Sequence, residues 1–365
     1  MLNEKSVMRS EELFSIRLRS VFQKFGYQRY KMSRFEEYDI YAKNKDFLIS
    51  ENVITFPDSK GRLMALKPDV TLSIVRSFND RTSEVQKLYY DEKVYRTVHN
   101  SADFKEITQL GLECIGDIDE ISISEVLVLA LKSLQEISDE YILNISDIDI
   151  ISKELSRLDV PEDTKKEILK AVGDKNFHEL SMVLSSMEAE PEQKRRIEVI
   201  AKTSGEPEAV ISSLRNEGIT GVELDILERI IKEIRSAGFS KGVKIDFSVL
   251  SNTSYYNGVV FNGYVSGVSG KVISGGRYDK LLQKMGKKKK AIGFAIYLDE
   301  LERLSDEKPM YDVDTVLLYN ENDTDVTLKA KKLMDEGQSV LLSRTVPENR
   351  RYRKIVKAED VLLEV

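Results

Sequence analysis

The chain has 365 residues, of which 41% are hydrophobic and 32% charged, with a formal net charge of −7. This length and apolar content suit a soluble globular protein of two or three structural units with a sizeable core. The acidic balance excludes a global basic field for nucleic acid, a lone cysteine (Cys114) excludes an internal disulfide, and two histidines (His99 and His178) exclude a His-rich metal site.

Met1–Ser20 is charged and amphipathic without a central apolar block, and no apolar run approaches membrane-spanning length, so the expectation is a cytoplasmic protein. Ser10-Glu11-Glu12 resembles a helix start; Phe14, Leu18, Val21 and Phe25 follow at helical spacing and Gly26 ends the run. Residues 47–66 predict short strands. Asp58-Ser59-Lys60-Gly61 lies between Val53–Phe56 and Leu63–Leu66, a hairpin signal. Pro68-Asp69 opens a predicted helix over 69–80, and Leu88–Tyr95 and Ile107–Ile115 predict two long strands. From about 120 to 238 the pattern turns helical, as in Glu125–Gln135, Asp163–Ala171 and Leu224–Ile234, with a short strand signal at Tyr141–Leu143. Strands resume at Lys244–Val249, Tyr256–Val265 and Lys271–Ser274; helices are expected from about 277 and over about 293–304. The tail reads as strand, helix, strand, basic stretch and strand, at Thr315–Tyr319, Leu328–Asp335, Ser339–Leu342 and Asp360–Glu364. The run Lys287–Lys290 fits a solvated loop better than a nucleic-acid site, because no aromatic stacking platform adjoins it.

Four separated segments resemble the histidyl-tRNA synthetase catalytic core, in that family's order. They are Phe25-Gly26-Tyr27 through Lys60–Thr71; Val94-Tyr95-Arg96 with Gln109-Leu110-Gly111-Leu112-Glu113; Tyr255-Tyr256-Asn257-Gly258-Val259-Val260-Phe261; and Ser274–Leu281 with Ile292-Gly293-Phe294-Ala295. The resemblance implies an α+β fold: a class II aminoacyl-tRNA synthetase-like antiparallel sheet core with flanking helices, usually dimeric, with a helical insertion and a small C-terminal α/β domain. The expected boundaries are 1–118 and 239–308 for the two parts of the core, 119–238 for the insertion and 309–365 for the tail.

The resemblance also carries a histidine pocket onto this chain. Asp69 matches a family glutamate that holds the ligand ammonium, and Thr71 its hydroxyl partner. Gln109 matches a residue that touches both ends of the amino-acid group, and Glu113 the carboxylate that reads the imidazole. Tyr255, Tyr256 and Tyr278 fall at or beside tyrosines near the ring, and Arg96 matches an arginine near carboxylate or phosphate. Each has an ordinary alternative: the tyrosines suit a core, Glu113 suits a solvent-facing strand position, and Asp69 suits a helix start.

The chain departs from the family where adenylation needs positive charge. The family's Arg-Gly-Leu-Asp-Tyr-Tyr stretch reads Ser251-Asn252-Thr253-Ser254-Tyr255-Tyr256 here, so arginine has become Ser251. Losing one such donor costs on the order of 100- to 1000-fold in rate. The family's Gly-Leu-Glu-Arg reads Tyr297-Leu298-Asp299-Glu300, which reverses a charge at Glu300 and places a bulky Tyr297 beside the nucleotide position. The second-motif loop, with Val98 and Asp103-Phe104-Lys105, is poor in phosphate-binding charge. The tail is about half of an anticodon-binding domain of roughly a hundred residues, so tRNA is not the expected partner.

Relatives lacking these elements resemble the regulatory subunit of short-form ATP phosphoribosyltransferase. The resemblance then implies a non-catalytic chain that binds the catalytic subunit in the first step of histidine biosynthesis. No cofactor or metal is expected; L-histidine is the expected allosteric ligand. Two alternatives stay open: an active histidyl-tRNA synthetase, and an amino-acid sensor with another partner.

Overall fold

A computed structural model describes residues 8–48, 52–81, 84–97, 103–250, 255–304 and 310–362. They divide into two compact units, Glu11–Arg303 and a smaller one built on Leu304–Val365.

In the larger unit, α1 (Ser10–Lys24) carries Glu11 and Glu12 at its positive end and buries Leu18 and Phe22. β1 (Gln28–Arg29) joins the edge of the main sheet. β2 (Phe35–Glu37), the short α2 (Asp39–Ala42), β3 (Thr55–Pro57) and β4 (Leu63–Leu66) follow, and β2-β4-β3 form a separate antiparallel sheet. The expected hairpin is present: Asp58 Oδ1 accepts the Lys60 and Arg62 N–H groups at 2.8 Å each, and Gly61 takes a φ of 79°. α3 (Thr71–Ser77) is shorter than the expected 69–80, because Asp69 lies outside the helix and caps it by accepting the Leu72 N–H at 2.8 Å.

β5 (Gln86–Thr97) and β6 (Phe104–Gly116) pair along their whole length. α4 (Glu120–Ile137) starts at an Asp119–Ser122 capping box and packs on the sheet, and β7 (Tyr141–Asp147) is one of its inner strands. Six helices come next: α5 (Ile148–Ser156), α6 (Glu162–Gly173), α7 (Phe177–Ser186), α8 (Pro191–Lys202), α9 (Pro207–Asn216) and α10 (Val222–Ser236). The short β8 (Ser204–Gly205) interrupts them. Within 119–238, therefore, α5–α10 form the helical layer, whereas α4, β7 and β8 belong with the sheet.

β9 (Val243–Asp246), β10 (Val259–Val265), β11 (Ile273–Arg277), α11 (Asp279–Lys284) and β12 (Lys290–Tyr297) complete the unit, ending in a 3-10 turn over Leu298–Leu304. The expected helix over 293–304 is thus a strand and a turn. Ala291, Ile292, Phe294 and Ile296 are all buried, so β12 lacks the alternation that marks a half-exposed strand. The nine-stranded sheet runs β1-β5-β6-β12-β11-β10-β7-β9-β8, antiparallel except at β1–β5 and β7–β9. The expected α+β synthetase-type architecture is present. Among the described residues no helix is long and apolar enough to cross a membrane.

One sheet face is apolar and carries α1 and α4. Phe22 of α1 meets Phe294 of β12 at 6.0 Å, Phe261 of β10 meets Phe294 at 6.1 Å, and Leu134 of α4 lies against Gly263. The opposite face is where the polar residues of β6 point. Of the basic run, Lys287 donates to the Phe78 carbonyl oxygen, Lys289 pairs with Asp117 at 2.5 Å and Lys290 opens β12.

The smaller unit is a parallel sheet, β14-β13-β15, formed by β13 (Val313–Leu318), β14 (Val340–Ser343) and β15 (Tyr352–Lys357), with α12 (Val326–Asp335) packed against it. Its third strand is the basic stretch itself. The strand expected at Asp360–Glu364 is instead a 3-10 turn over Ala358–Asp360, with 363–365 outside the described residues. β15 was hidden by its exposed Arg353 and Lys354, charges that suit an unpaired sheet edge.

Candidate functional site

Side chains two residues apart on a strand share a face. On β6 this puts Gln109, Gly111 and Glu113 together, away from Leu110, Leu112 and Cys114. The register extends the face sideways: Glu113 lies opposite Gly293, Gly111 opposite Tyr90 and Ala295, Gln109 opposite Tyr297, and Ala295 opposite Ser274. The start of α3 supplies Asp69 and Thr71 above this floor. Tyr255 and Tyr256 lead into β10, and Tyr278 leads from β11 into α11.

These elements enclose a cavity of about 340 Å³, within the range of small-ligand sites. Seven of the eight expected residues line it: Asp69, Thr71, Gln109, Glu113, Tyr255, Tyr256 and Tyr278. The eighth, Arg96, is buried close enough to act electrostatically on Asp69 and Tyr256. Ser251 lies outside the described residues. Glu300 sits on the 3-10 turn after β12, next to Gly270, and is not part of the cavity wall.

Glu113 is the centre of the polar network. Thr71 Oγ1 donates to its Oε1 at 2.7 Å and Tyr278 OH to its Oε2 at 2.5 Å. The carboxyl has room only because residue 293 is glycine: a Cβ there would overlap Glu113 Oε2 and the Leu112 carbonyl oxygen. Gly276 serves Tyr256 in the same way, since a Cβ would lie 2.8 Å from Tyr256 Cδ1. Tyr255 packs edge-on against Tyr256 at 4.5 Å and tilted against Tyr278 at 5.7 Å, which fixes the aromatic wall.

Burial pushes the Glu113 carboxyl up to about 8, with nearby Asp69 adding to the rise and the Tyr278 and Thr71 hydrogen bonds opposing it. Burial raises Asp69 as well, moderated by its backbone hydrogen bonds and by Arg96. The folded chain therefore holds the Glu113 proton more tightly than the unfolded chain between pH 4.5 and about 8. Glu113's contribution to stability is greatest at the acid side of that window and is lost as pH rises through it. Glu113→Gln, which cannot ionise, is expected to flatten this part of the pH–stability curve measured by urea unfolding. An unchanged slope would show that Glu113 titrates normally.

Arg96 and Gln109 are each 4% exposed, and neither side chain makes a hydrogen bond or ion pair with a described residue. Tyr90 also lies on the cavity wall. Sequence reasoning missed Tyr90, Lys271 and Ser274. Tyr90 was within reach: it lies opposite Gly111 once the β5–β6 register is known.

The histidyl-tRNA synthetase family profile matches residues 2–301. The chain belongs to the histidyl-tRNA synthetase family. An ATP phosphoribosyltransferase regulatory subunit from Oceanobacillus iheyensis is 25% identical over 353 residues, covering 94% of this chain and 85% of that relative. A crystal structure described as an ATP phosphoribosyltransferase regulatory subunit/histidyl-tRNA synthetase, from Bacillus halodurans C, superposes with a TM-score of 0.77 at 24% identity, covering 95% of this chain and 93% of that one. An ATP phosphoribosyl transferase complex from Thermotoga maritima contains a chain that superposes with a TM-score of 0.64 at 20% identity, over 79% of this chain and 97% of that one.

For a member of this family the cavity has the parts of an amino-acid site. Carboxyls at Asp69 and Glu113 can meet an ammonium and a ring N–H, the tyrosines can flank a ring, and Arg96 offers positive charge. Tyr297 forms part of the wall, and the sequence has serine at 251 and glutamate at 300 where the family carries arginines.

Proposed function

We propose that this chain is the regulatory subunit of a cytoplasmic short-form ATP phosphoribosyltransferase, that it catalyses no reaction itself, and that it passes histidine feedback to a separate catalytic chain. The supporting observation is the coexistence of an amino-acid-type cavity, centred on Thr71–Glu113–Tyr278, with substitutions that remove the charge needed to activate ATP. A pocket kept without its adenylation groups suits sensing rather than activation. The names carried by relatives across nearly the whole chain agree with this reading.

Feedback requires histidine to favour one state of the assembly over another, since equal affinity for both shifts nothing. A tenfold affinity difference between states amounts to about 1.4 kcal/mol per site, enough to move a balanced equilibrium.

The test is co-purification with a short ATP phosphoribosyltransferase catalytic chain, followed by assay with and without this protein. The expected result is a complex whose condensation of ATP with phosphoribosyl pyrophosphate depends on this chain and is suppressed by histidine. The chain alone is expected to show no histidine-dependent ATP–pyrophosphate exchange. Exchange at a synthetase-like rate, or no complex and no activation, rejects the proposal.

A further inference from the structure

The cavity holds a charge that the resemblance leaves without a role. Lys271 stands just before β11 and lines the cavity beside Ser274 and Tyr297. Its ammonium lies 3.4 Å from Ser274 Oγ and pairs with no carboxylate among the described residues. Burial and the neighbouring Arg96 guanidinium hold its pKa below the usual lysine range, with no carboxylate near enough to oppose the shift. Arg96 is itself buried and unpaired among the described residues. A desolvated lysine on the cavity wall, with the Arg96 guanidinium near enough to disfavour its charge, makes a place that an anion stabilises.

Asp69 feels both Arg96 and Glu113, so it links the cationic part of the cavity to the part that holds Thr71 and Tyr278. This order of charges matches a zwitterion: carboxylate toward Lys271 and Arg96, ammonium toward Asp69, side chain toward Glu113. We propose that Lys271 anchors the free α-carboxylate of the amino acid bound in this cavity, taking over from the arginine replaced by Ser251. The inference rests on the amino-acid reading of the cavity given above.

It also changes what the cavity selects. A synthetase must accept an amino acid whose carboxyl becomes an adenylate. A lysine held over that carboxylate favours the free acid, which is the form a feedback signal takes.

L-Histidine and L-histidinamide, which lacks the carboxylate charge, separate the possibilities in calorimetric titrations of the full chain. The wild-type chain is expected to prefer histidine by on the order of 10- to 100-fold, the range of one charge-assisted hydrogen bond. Lys271→Met and Lys271→Gln are expected to cut that preference to about twofold or less while leaving histidinamide binding in place, which also shows that the cavity is intact. Lys271→Arg is expected to restore most of the preference. Histidine preference retained in both the Met and Gln variants overturns the role of Lys271 and leaves the amino-acid reading standing. Failure of the wild-type chain to bind either ligand overturns both.

Discussion

Glu113→Ala is expected to weaken L-histidine binding by the full chain by on the order of 100-fold. The size follows from what the carboxyl holds. It is 2% exposed, and its two oxygens accept the Thr71 and Tyr278 hydroxyls. Truncation removes the acceptor for a ligand ring N–H and leaves both hydroxyls without their partner. A hydrogen bond to a neutral group contributes about 0.5–1.5 kcal/mol, and stranding a buried donor adds about 1–3 kcal/mol to the loss. Tyr278→Phe removes one donor but leaves the carboxyl, so its effect is expected to be about tenfold or less. Calorimetry on both variants checks the order. In the assembled enzyme the same variants are expected to remain able to activate the catalytic chain while responding only to much higher histidine. Unchanged affinity in Glu113→Ala would place histidine elsewhere, such as at the contact between subunits.

The parts of this site that could be read from the sequence are those carried by strict alternation or by glycine. Gln109, Gly111 and Glu113 on β6 declare a common face by their spacing alone, because Leu110, Leu112 and Cys114 between them are apolar. The Gly275-Gly276-Arg277-Tyr278-Asp279 stretch likewise marks a strand that turns into a helix beside the cavity. β12 was not legible, because both of its faces are buried and its apolar run suits a helix equally well. β7 was nearly lost among helices for a related reason: it is a seven-residue strand between α4 and α5, and its partner β10 lies more than a hundred residues away in sequence. Lys271 could not be found at all by pattern. A lysine before a strand reads as surface, and only the folded sheet brings it to the cavity wall with Ser274 and Tyr297. The tail strand β15 failed for the opposite reason, since charge at a sheet edge conceals a strand that packs only through Tyr352 and Val356.

Gly293→Ala is expected to destabilise the chain and remove histidine binding together. The added methyl would overlap Glu113 Oε2 and the Leu112 carbonyl oxygen, and would lie 2.7 Å from Glu113 Cδ. Neither neighbour can yield cheaply. The Leu112 carbonyl belongs to β6, whose pairing with β12 runs through this point, and the Glu113 carboxyl is fastened at both oxygens. Overpacking of this kind costs about 1–3 kcal/mol, and an obstacle that includes backbone puts this case toward the upper end. At roughly 2–4 °C per kcal/mol for a folding unit of 150–250 residues, somewhat less for a larger one, the melting midpoint should fall by several degrees. Glu113→Ala on top of Gly293→Ala removes the side-chain part of the clash, so the double variant should melt above Gly293→Ala alone and still fail to bind histidine. Such non-additivity is what two residues sharing one space must show. A Gly293→Ala chain that melted and bound like wild type would mean that the carboxyl does not lie against β12. The bare position on β12 and the carboxyl on β6 share one space, so a side chain at 293 can be added only at the expense of the carboxyl.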